Sequence, residues 1–346
     1  MGGAHPPVAG ETGARVVVSG SLAYDYIMTF PGSFKDHIIP DKAHVLSVSF
    51  LVDSLRRRRG GVGGNIAYNL ALLGESPVLV GAAGSDFGPY RAVFDNLGID
   101  TESVLDIPDE FTASCFINSD LAGNQLVAFY PGALSHVREV SVAALAIGAA
   151  YGIVGATDPA AMRDHSAQIH AVGCRLIYDP SQQIVTLSAE DLLAGIAQAW
   201  GFVGNDYELA MIANKTEMSV ETLTERVPFV AVTFGENGSE IRFGGDVVPI
   251  PAAAAEPLTD PTGGGDAYRA GLIKGLLLGA DLAIVGRIAS LAATYAIEHQ
   301  GTQEHHYTPE EFVSRFDRVF PDHAGAITPA LLRSTTSQTM AAIAAT

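Results

Sequence analysis

Short apolar runs separated by turn residues set the rhythm of the chain. "VVVSG" at 16–20 is a β-branched run ending in the polar turn "SLAYD", as a buried strand does. "HVLSVSFLVDSLRRRR" alternates apolar and polar positions and predicts a half-exposed strand. In "GGVGGNIAYNLALLG" the apolar residues Ile66, Leu70 and Leu73 recur at helical spacing, and Gly74 is a natural stop. "SPVLVGAAG" predicts another buried strand and "YRAVFDNLG" a short helix. "FTASCFINSDLAGNQLVAFYPGA" predicts a hairpin of two alternating strands turned at "DLAGN".

Beyond it "YGIVGA", "RLIYDP", "GFVGND" and "FVAVTFG" alternate with helical stretches, the pattern of a parallel sheet wrapped by helices. Ligands of such sheets bind beyond the carboxyl ends of the strands, where the pattern places Asp25, Asp179, Asn205 and the "TFGENG" turn. The β-rich pieces at about 24–57 and 111–132 fall outside this rhythm and predict a small separate sheet, a lid. From Asp266 onward the chain reads as mostly helical. The two ends, 1–13 and 331–346, read as tails, the second with a frayed helix from Ser334.

Composition narrows the function classes. The net charge of −18 argues against nucleic acid and anionic membranes as partners. Any phosphate site must therefore be local, built from amide dipoles and a divalent cation. The most apolar stretches, "VAALAIGAAYGIVGA" and "AGLIKGLLLGADLAIVG", are too short or too interrupted for the ~20-residue span of a bilayer. Two distant cysteines, Cys115 and Cys174, give no metal or disulfide pattern and fit a cytoplasmic setting. The basic run Arg56–Arg59 reads as an exposed strand or turn edge, and His305–His306 as a solvated loop.

The sharpest chemical signal is "GGGDAYRAG". Glycines leading into a helix leave outward amides where the helix dipole is positive, which makes an anion site. Asp266 would repel that anion unless it acts as a base on a hydroxyl while the amides hold a phosphoryl group. The physics alone leaves a second reading, a turn with Asp266 as helix N-cap. Neither "GGVGGN" nor "GGGDAYRAG" matches a dinucleotide fingerprint or a P-loop.

"DPTGGGDAYRAGL" and "GGVGGNIAYNLALLG" resemble the C-terminal and N-terminal signatures of the ribokinase-like (PfkB) carbohydrate and nucleoside kinases. "GSLAYD", "NDYE" and "TFGENG" are similar to three further elements of that family in its order, over about residues 16–320. "SGSLAYDYIMTFPGSF", "LSVSFLVD", "AFYPGA" and "DPSQQ" look like the actinobacterial adenosine kinases within it. The resemblance implies a three-layer α/β/α domain over 14–330 with a mostly parallel sheet and a β lid. It also implies transfer of the γ-phosphate of ATP, with Mg²⁺, to the 5′-hydroxyl of a nucleoside such as adenosine. Parts of the family add K⁺.

Carried over by position, the resemblance makes Asp266 the general base and Gly263, Gly264 and Gly265 the anion hole. Asp25 would bind the ribose hydroxyls, with Gly61 and Asn65 beside it, and Gly60–Gly61 would be the lid hinge. Ser21, Ser49, Gln182 and Gln183 correspond to sugar or base contacts, and Phe129 to a lid ring stacked on the purine. A second ring is expected where this chain has Cys115, with Phe116 next to it as the substitute. Asn205 and Glu208 correspond to an element that organises Mg²⁺ and phosphate through water, and Thr233, Gly235, Gly238 and Thr262 to the nucleotide side. An exposed lid edge would offer a template for a homodimer. Two other readings remain: a ribokinase- or fructokinase-type sugar kinase, which has no use for Phe129, and a catalytically silent binding protein.

Overall fold

The computed structural model describes residues 15–37 and 47–333. The expected N-terminal tail, the tail from Ser334 and the part of the lid segment at 38–46 lie outside these residues.

The chain starts with β1 (Val16–Ser19), crosses into β2 (Ala23–Thr29) and returns through β3 (Ser54–Gly60) to helix α1 (Val62–Leu72). β4 (Val78–Gly84), α2 (Gly88–Asn96) and β5 (Val104–Ile107) follow, then the hairpin β6 (Ala113–Ser119) and β7 (Gln125–Tyr130). The alternating half comprises α3 (Ala143–Ala146), β8 (Tyr151–Val154), α4 (Pro159–Ala171), β9 (Arg175–Tyr178), α5 (Ala189–Gln198), β10 (Gly201–Asn205), α6 (Asp206–Thr216), α7 (Val220–Thr224) and β11 (Phe229–Thr233). β12 (Ser239–Phe243) and β13 (Asp246–Ile250) precede the helical end, α8 (Gly264–Leu277), α9 (Leu282–Ile297), α10 (Pro309–Val319) and α11 (Pro329–Leu332).

Nine strands form one sheet in the order β13-β12-β11-β10-β9-β8-β1-β4-β5. β11 through β5 run parallel, and β12 and β13 add an antiparallel edge. The central strands are apolar on both faces because both are covered. Val16 and Val18 belong to the core under α1, α8 and α9, whereas Val17 belongs to the core under α4, α5 and α6. Side chains alternate between faces with period two, so one valine run serves two layers.

The predicted lid is a second sheet, ordered β3-β2-β6-β7. Its boundaries differ from the sequence reading in one respect. Among the described residues of the expected long strand, the strand covers Ser54–Gly60; residues 47–53 run outside strand structure, and Ser49 is exposed there. Asp25 also moves: it is not at the end of a core strand but third in β2, inside the lid. The C-terminal boundary shifts as well, because Leu332 is buried in the core and its carbonyl accepts from Lys274 Nζ at 3.0 Å.

Lys274 lies deep in α8, 2.5 Å from Glu75 Oε1 just beyond α1. This pair ties together the two helices that begin at the glycine signatures. Breaking a buried pair by removing one partner costs about 3–5 kcal/mol. Lys274→Met is therefore expected to lose roughly that much stability at neutral pH. Urea unfolding checks it, and a loss below about 1 kcal/mol would show that the pair contributes little.

Candidate active site

A cavity of about 320 Å³ lies between the lid and the carboxyl ends of the core strands. Asp25 lines it from the lid. Gly61, Val62 and Asn65 line it from α1, Asn205 and Glu208 from the start of α6, and Thr233 from the end of β11. Thr262, Gly263, Gly265, Asp266 and Arg269 contribute from the start of α8, with Ser181, Gln182 and Thr302 from loops. Of the residues expected from the sequence, Ser21, Ser49, Gln183, Gly235, Gly238, Gly264, Phe116 and Phe129 are not in this lining.

The glycine run is divided in two by the helix. Gly263 is the N-cap, in the left-handed region at φ 82°, and Gly264, Gly265 and Asp266 are the first three helical residues. Asp266 is thus not the N-cap. The first turn of a helix leaves its N–H groups without intrahelical acceptors, so amides and dipole face the cavity at this end. At the end of β3, Gly61 adopts φ 91°, and a Cβ there would lie 2.5 Å from Ser21 O. Ser21 is engaged in the same turn, its Oγ accepting from Val62 N at 2.9 Å, so it caps α1.

Asn65 and Asp266 meet across the two signatures. Asn65 Nδ2 donates to Asp266 Oδ2 at 2.7 Å. Its Oδ1 lies 2.8 Å from Thr302 Oγ1 and accepts from Gln303 Nε2 at 2.9 Å, which fixes which end of the amide faces the carboxylate. Gln303 also donates to Tyr90 OH, which in turn donates to the carbonyl of Gly60 at 3.0 Å. Thr302 Oγ1 is also 3.0 Å from the carbonyl of Arg59. The Asp266 carboxylate is therefore linked through buried groups to the last residues of the lid strand.

Arg269, one turn beyond Asp266, reaches Asp179 at the end of β9 through Nε (2.5 Å) and Nη2 (2.6 Å). Its Nη2 also donates to Ser181 Oγ at 3.2 Å and lies 3.8 Å from Glu208 Oε2. Asn205 and Glu208 form a capping box: Glu208 N donates to Asn205 Oδ1 at 2.7 Å, and Asn205 N to Glu208 Oε2 at 2.9 Å. Burial pushes the Asp266 carboxyl up to about 6, against the lowering effect of Arg269 and Asn65; Asp179 and Glu208 push it further up. Burial raises Glu208 too, with Arg269 opposing. Asp25 is raised to about 6 by burial and then by Asp260.

On the lid, register decides which side chains share a face. Asp25 pairs with Arg58 and Cys115, and Cys115 pairs with Phe129, so Asp25, Cys115 and Phe129 form one row. Phe129 is 55% exposed. Phe116 is one position out of this row, on the opposite face, where it stacks on Tyr26 with centroids 4.9 Å apart. It cannot replace the missing ring on the Asp25 face.

Two further expectations change. His305 is fully buried, with Nε2 2.8 Å from Asn69 Oδ1 and its pKa pushed down to about 4 by burial, while His306 is exposed. Arg56–Arg59 do form a strand, but they are anchored as well as solvated. Arg58 and Arg59 lie 3.1 and 3.5 Å from Glu304, and Arg56 bonds Gln300. Sequence reasoning missed Arg269, Ser181, Thr302 and Gln303. The available signal for Arg269 was a cation at i+3 from Asp266, inside an otherwise apolar helix.

Comparison with known proteins places this geometry. The model of the pfkB family carbohydrate kinases matches residues 16–309, and the chain belongs to that family. It is a phosphotransferase acting on an alcohol group, of the nucleoside and sugar kinase class. A nucleoside kinase of Methanothermobacter thermautotrophicus is 34% identical over 301 residues, 86% of this chain and 94% of that protein. The structure of Burkholderia thailandensis nucleoside kinase in complex with inosine is similar at 38% identity and a TM-score of 0.79, covering 89% of this chain and 98% of that one. The nucleoside kinase of Methanocaldococcus jannaschii, 26% identical, superposes with a TM-score of 0.80 over 89% of this chain and all of its own. Among the described residues no helix is long and apolar enough to cross a membrane.

The raised Asp25 has a cost in stability. Its folded pKa of about 6 lies above the model-compound 3.8, so stability falls as pH rises through the window between them. Asp25→Asn is expected to be more stable than wild type by up to about 3 kcal/mol at pH 8 and about equal to it near pH 4. Thermal melts at the two pH values test this; an equal effect at both would disprove the burial cost.

Proposed function

We propose that the protein transfers the γ-phosphoryl group of MgATP to the 5′-hydroxyl of a nucleoside, with purine nucleosides, adenosine foremost and inosine accepted, as substrates. The observation that carries this reading is the half-buried Asp266, held by Asn65 at the mouth of the helix whose first amides come from the glycine run. Asp266 takes the hydroxyl proton as general base. The new O–P bond forms as the bond from the γ-phosphorus to the β–γ bridging oxygen breaks, and the electron pair leaves with ADP. Asp25 accepts the ribose hydroxyls from the lid side, with Asn65 opposite, and Gln182 lies at the same cavity. Thr233 and Thr262, with the turn at Gly235 and Gly238, form the nucleotide side.

The donor set fits a hard divalent cation, because Glu208 and Asn205 present oxygen ligands to the cavity. Glu208 would hold Mg²⁺ through water, and the cation would offset phosphate charge as the group transfers. Closure of the lid excludes water that would otherwise hydrolyse ATP. The outer lid strand β7, exposed at all six residues, is the edge by which two copies would pair.

The nucleoside choice is supported by Phe129 in the Asp25 row, and by relatives that are nucleoside kinases, one of them with inosine bound. A sugar kinase is the second reading, since Asp25 and Asn65 need only a ribose. Base stacking on an aromatic is worth ~1–3 kcal/mol. Adenosine should therefore exceed ribose by more than ~10-fold in kcat/KM, and Phe129→Ala should erase most of that advantage while sparing ribose. A competition assay with adenosine, inosine, guanosine and ribose decides it. Ribose or fructose consumed first means a sugar kinase.

Asp266→Asn should lower kcat by at least ~10²-fold with little change in nucleoside affinity. In the wild type, the base must be ionised, so kcat should fall as pH drops through about 6. Near-native turnover of the variant would remove Asp266 from the mechanism.

A further inference from the structure

Arg269 is 6% exposed, on a helix whose neighbouring positions are apolar. A buried guanidinium is costly unless it is paired and held. Here Nη2 donates to Asp179 Oδ1 and to Ser181 Oγ, while Nε lies 2.5 Å from Asp179 Oδ2 as an ion pair without hydrogen-bond geometry. Ser181 takes φ 44°, a region that non-glycine residues avoid, and there its Oγ also donates to Asp179 Oδ1 at 3.1 Å. The clamp is thus built with local backbone strain, which is common at functional sites.

The clamp leaves one end of the fork over. Among the described residues Nη1 has no hydrogen-bond partner. It abuts Gly265, where an added Cβ would lie 2.7 Å from it. Gly265 belongs to the first turn of α8, so the bare backbone lets the guanidinium reach the amides that face the cavity. Among the described residues the charges lining that cavity are Asp25, Glu208, Asp266 and Arg269, and Arg269 is the single cation of these. A polyphosphate entering this site of a chain with net charge −18 meets three carboxylates and one guanidinium.

We propose that Arg269 is a catalytic residue, whose Nη1 donates to the transferring phosphoryl group beside the amides of the glycine run. Asp179 and Ser181 are its positioning residues. The metaphosphate-like group carries charge on its equatorial oxygens while the bond to ADP breaks and the bond to the 5′-oxygen forms. A preorganised charged donor is worth most at that point, because it is already desolvated and needs no rearrangement. Asp266 receives the nucleoside's proton throughout; Arg269 transfers none.

The proposal rests on the phosphotransfer reading above, and its test separates the two. Arg269→Gln, Arg269→Lys and the double variant Asp179→Asn/Arg269→Gln are compared with wild type. The double variant replaces the ion pair with two amides and leaves no lone buried carboxylate at position 179, so it guards against simple misfolding. Steady-state kinetics give kcat and KM, and calorimetry gives nucleoside affinity alone and with MgADP plus fluoroaluminate, a mimic of the transferring group. Removal of one preorganised donor costs ~10²–10³-fold in kcat. The double variant is expected to lose at least ~10²-fold in kcat, with nucleoside KM within ~3-fold of wild type. It should also lose the extra nucleoside affinity that fluoroaluminate confers, and Arg269→Lys should fall between. A double variant with wild-type kcat, or with intact fluoroaluminate tightening, overturns the proposal. So does an equal loss of nucleoside affinity with and without fluoroaluminate, which marks a structural arginine. Wild-type enzyme that forms no ADP with any nucleoside would instead sink the functional reading.

Discussion

The site depends on one hydrogen bond, 2.7 Å from Asn65 Nδ2 to Asp266 Oδ2, between residues 201 positions apart. It joins the starts of α1 and α8, and so joins the two glycine signatures. Each helix is brought there by its own bare backbone: Gly61 turns the chain off the lid strand, and Gly263 turns it into α8. Both helices then sit on the same face of the sheet, in the core shared by Val16, Val18, Ile66 and Leu272. Burial beneath the lid raises the carboxyl, and the amide offsets part of that rise. A carboxyl with a proton affinity near neutrality is the product of these two opposed terms.

The same opposition runs through the whole cavity. The chain is strongly acidic, and its site gathers further carboxylates where a phosphate has to come. Attraction therefore cannot come from the overall field. On the proposed reading it would come from short-range groups whose geometry is fixed beforehand: the first amides of α8, the clamped guanidinium and a cation on oxygen ligands. Such a site binds its anion by shape and direction. Little would be gained by steering from a distance.

The sheet and the lid were legible because periodicity is local. "VVVSG", "FVAVTFG" and their like declared buried strands, and "DLAGN" between alternating runs declared the lid hairpin. Asp266, Asn65 and Asp25 were legible through the signatures that carry them. Arg269 was not, because its partner Asp179 is 90 residues away and a lone arginine in a helix says nothing about which carboxylate it meets. Gln303 and His305 were hidden for the same reason: a polar loop at 301–306 reads as solvated until Asn65, Asn69 and Tyr90 are seen packed against it. Phe116 illustrates the opposite case. Strand parity alone predicts that it faces away from Asp25, and proximity in sequence to Cys115 was the weaker guide.

Thr302 stands where the lid strand meets the start of α1. Its hydroxyl lies within bonding distance of two acceptors, the carbonyl of Arg59 and Oδ1 of Asn65, yet it carries a single hydrogen. The proton can serve only one of them at a time. When it turns to the lid strand, Asn65 still accepts from Gln303 and keeps its orientation. Whichever acceptor the proton serves, Gln303 holds the Asn65 carboxamide towards Asp266, and through Tyr90 the same glutamine is tied to the carbonyl of Gly60 at the end of β3.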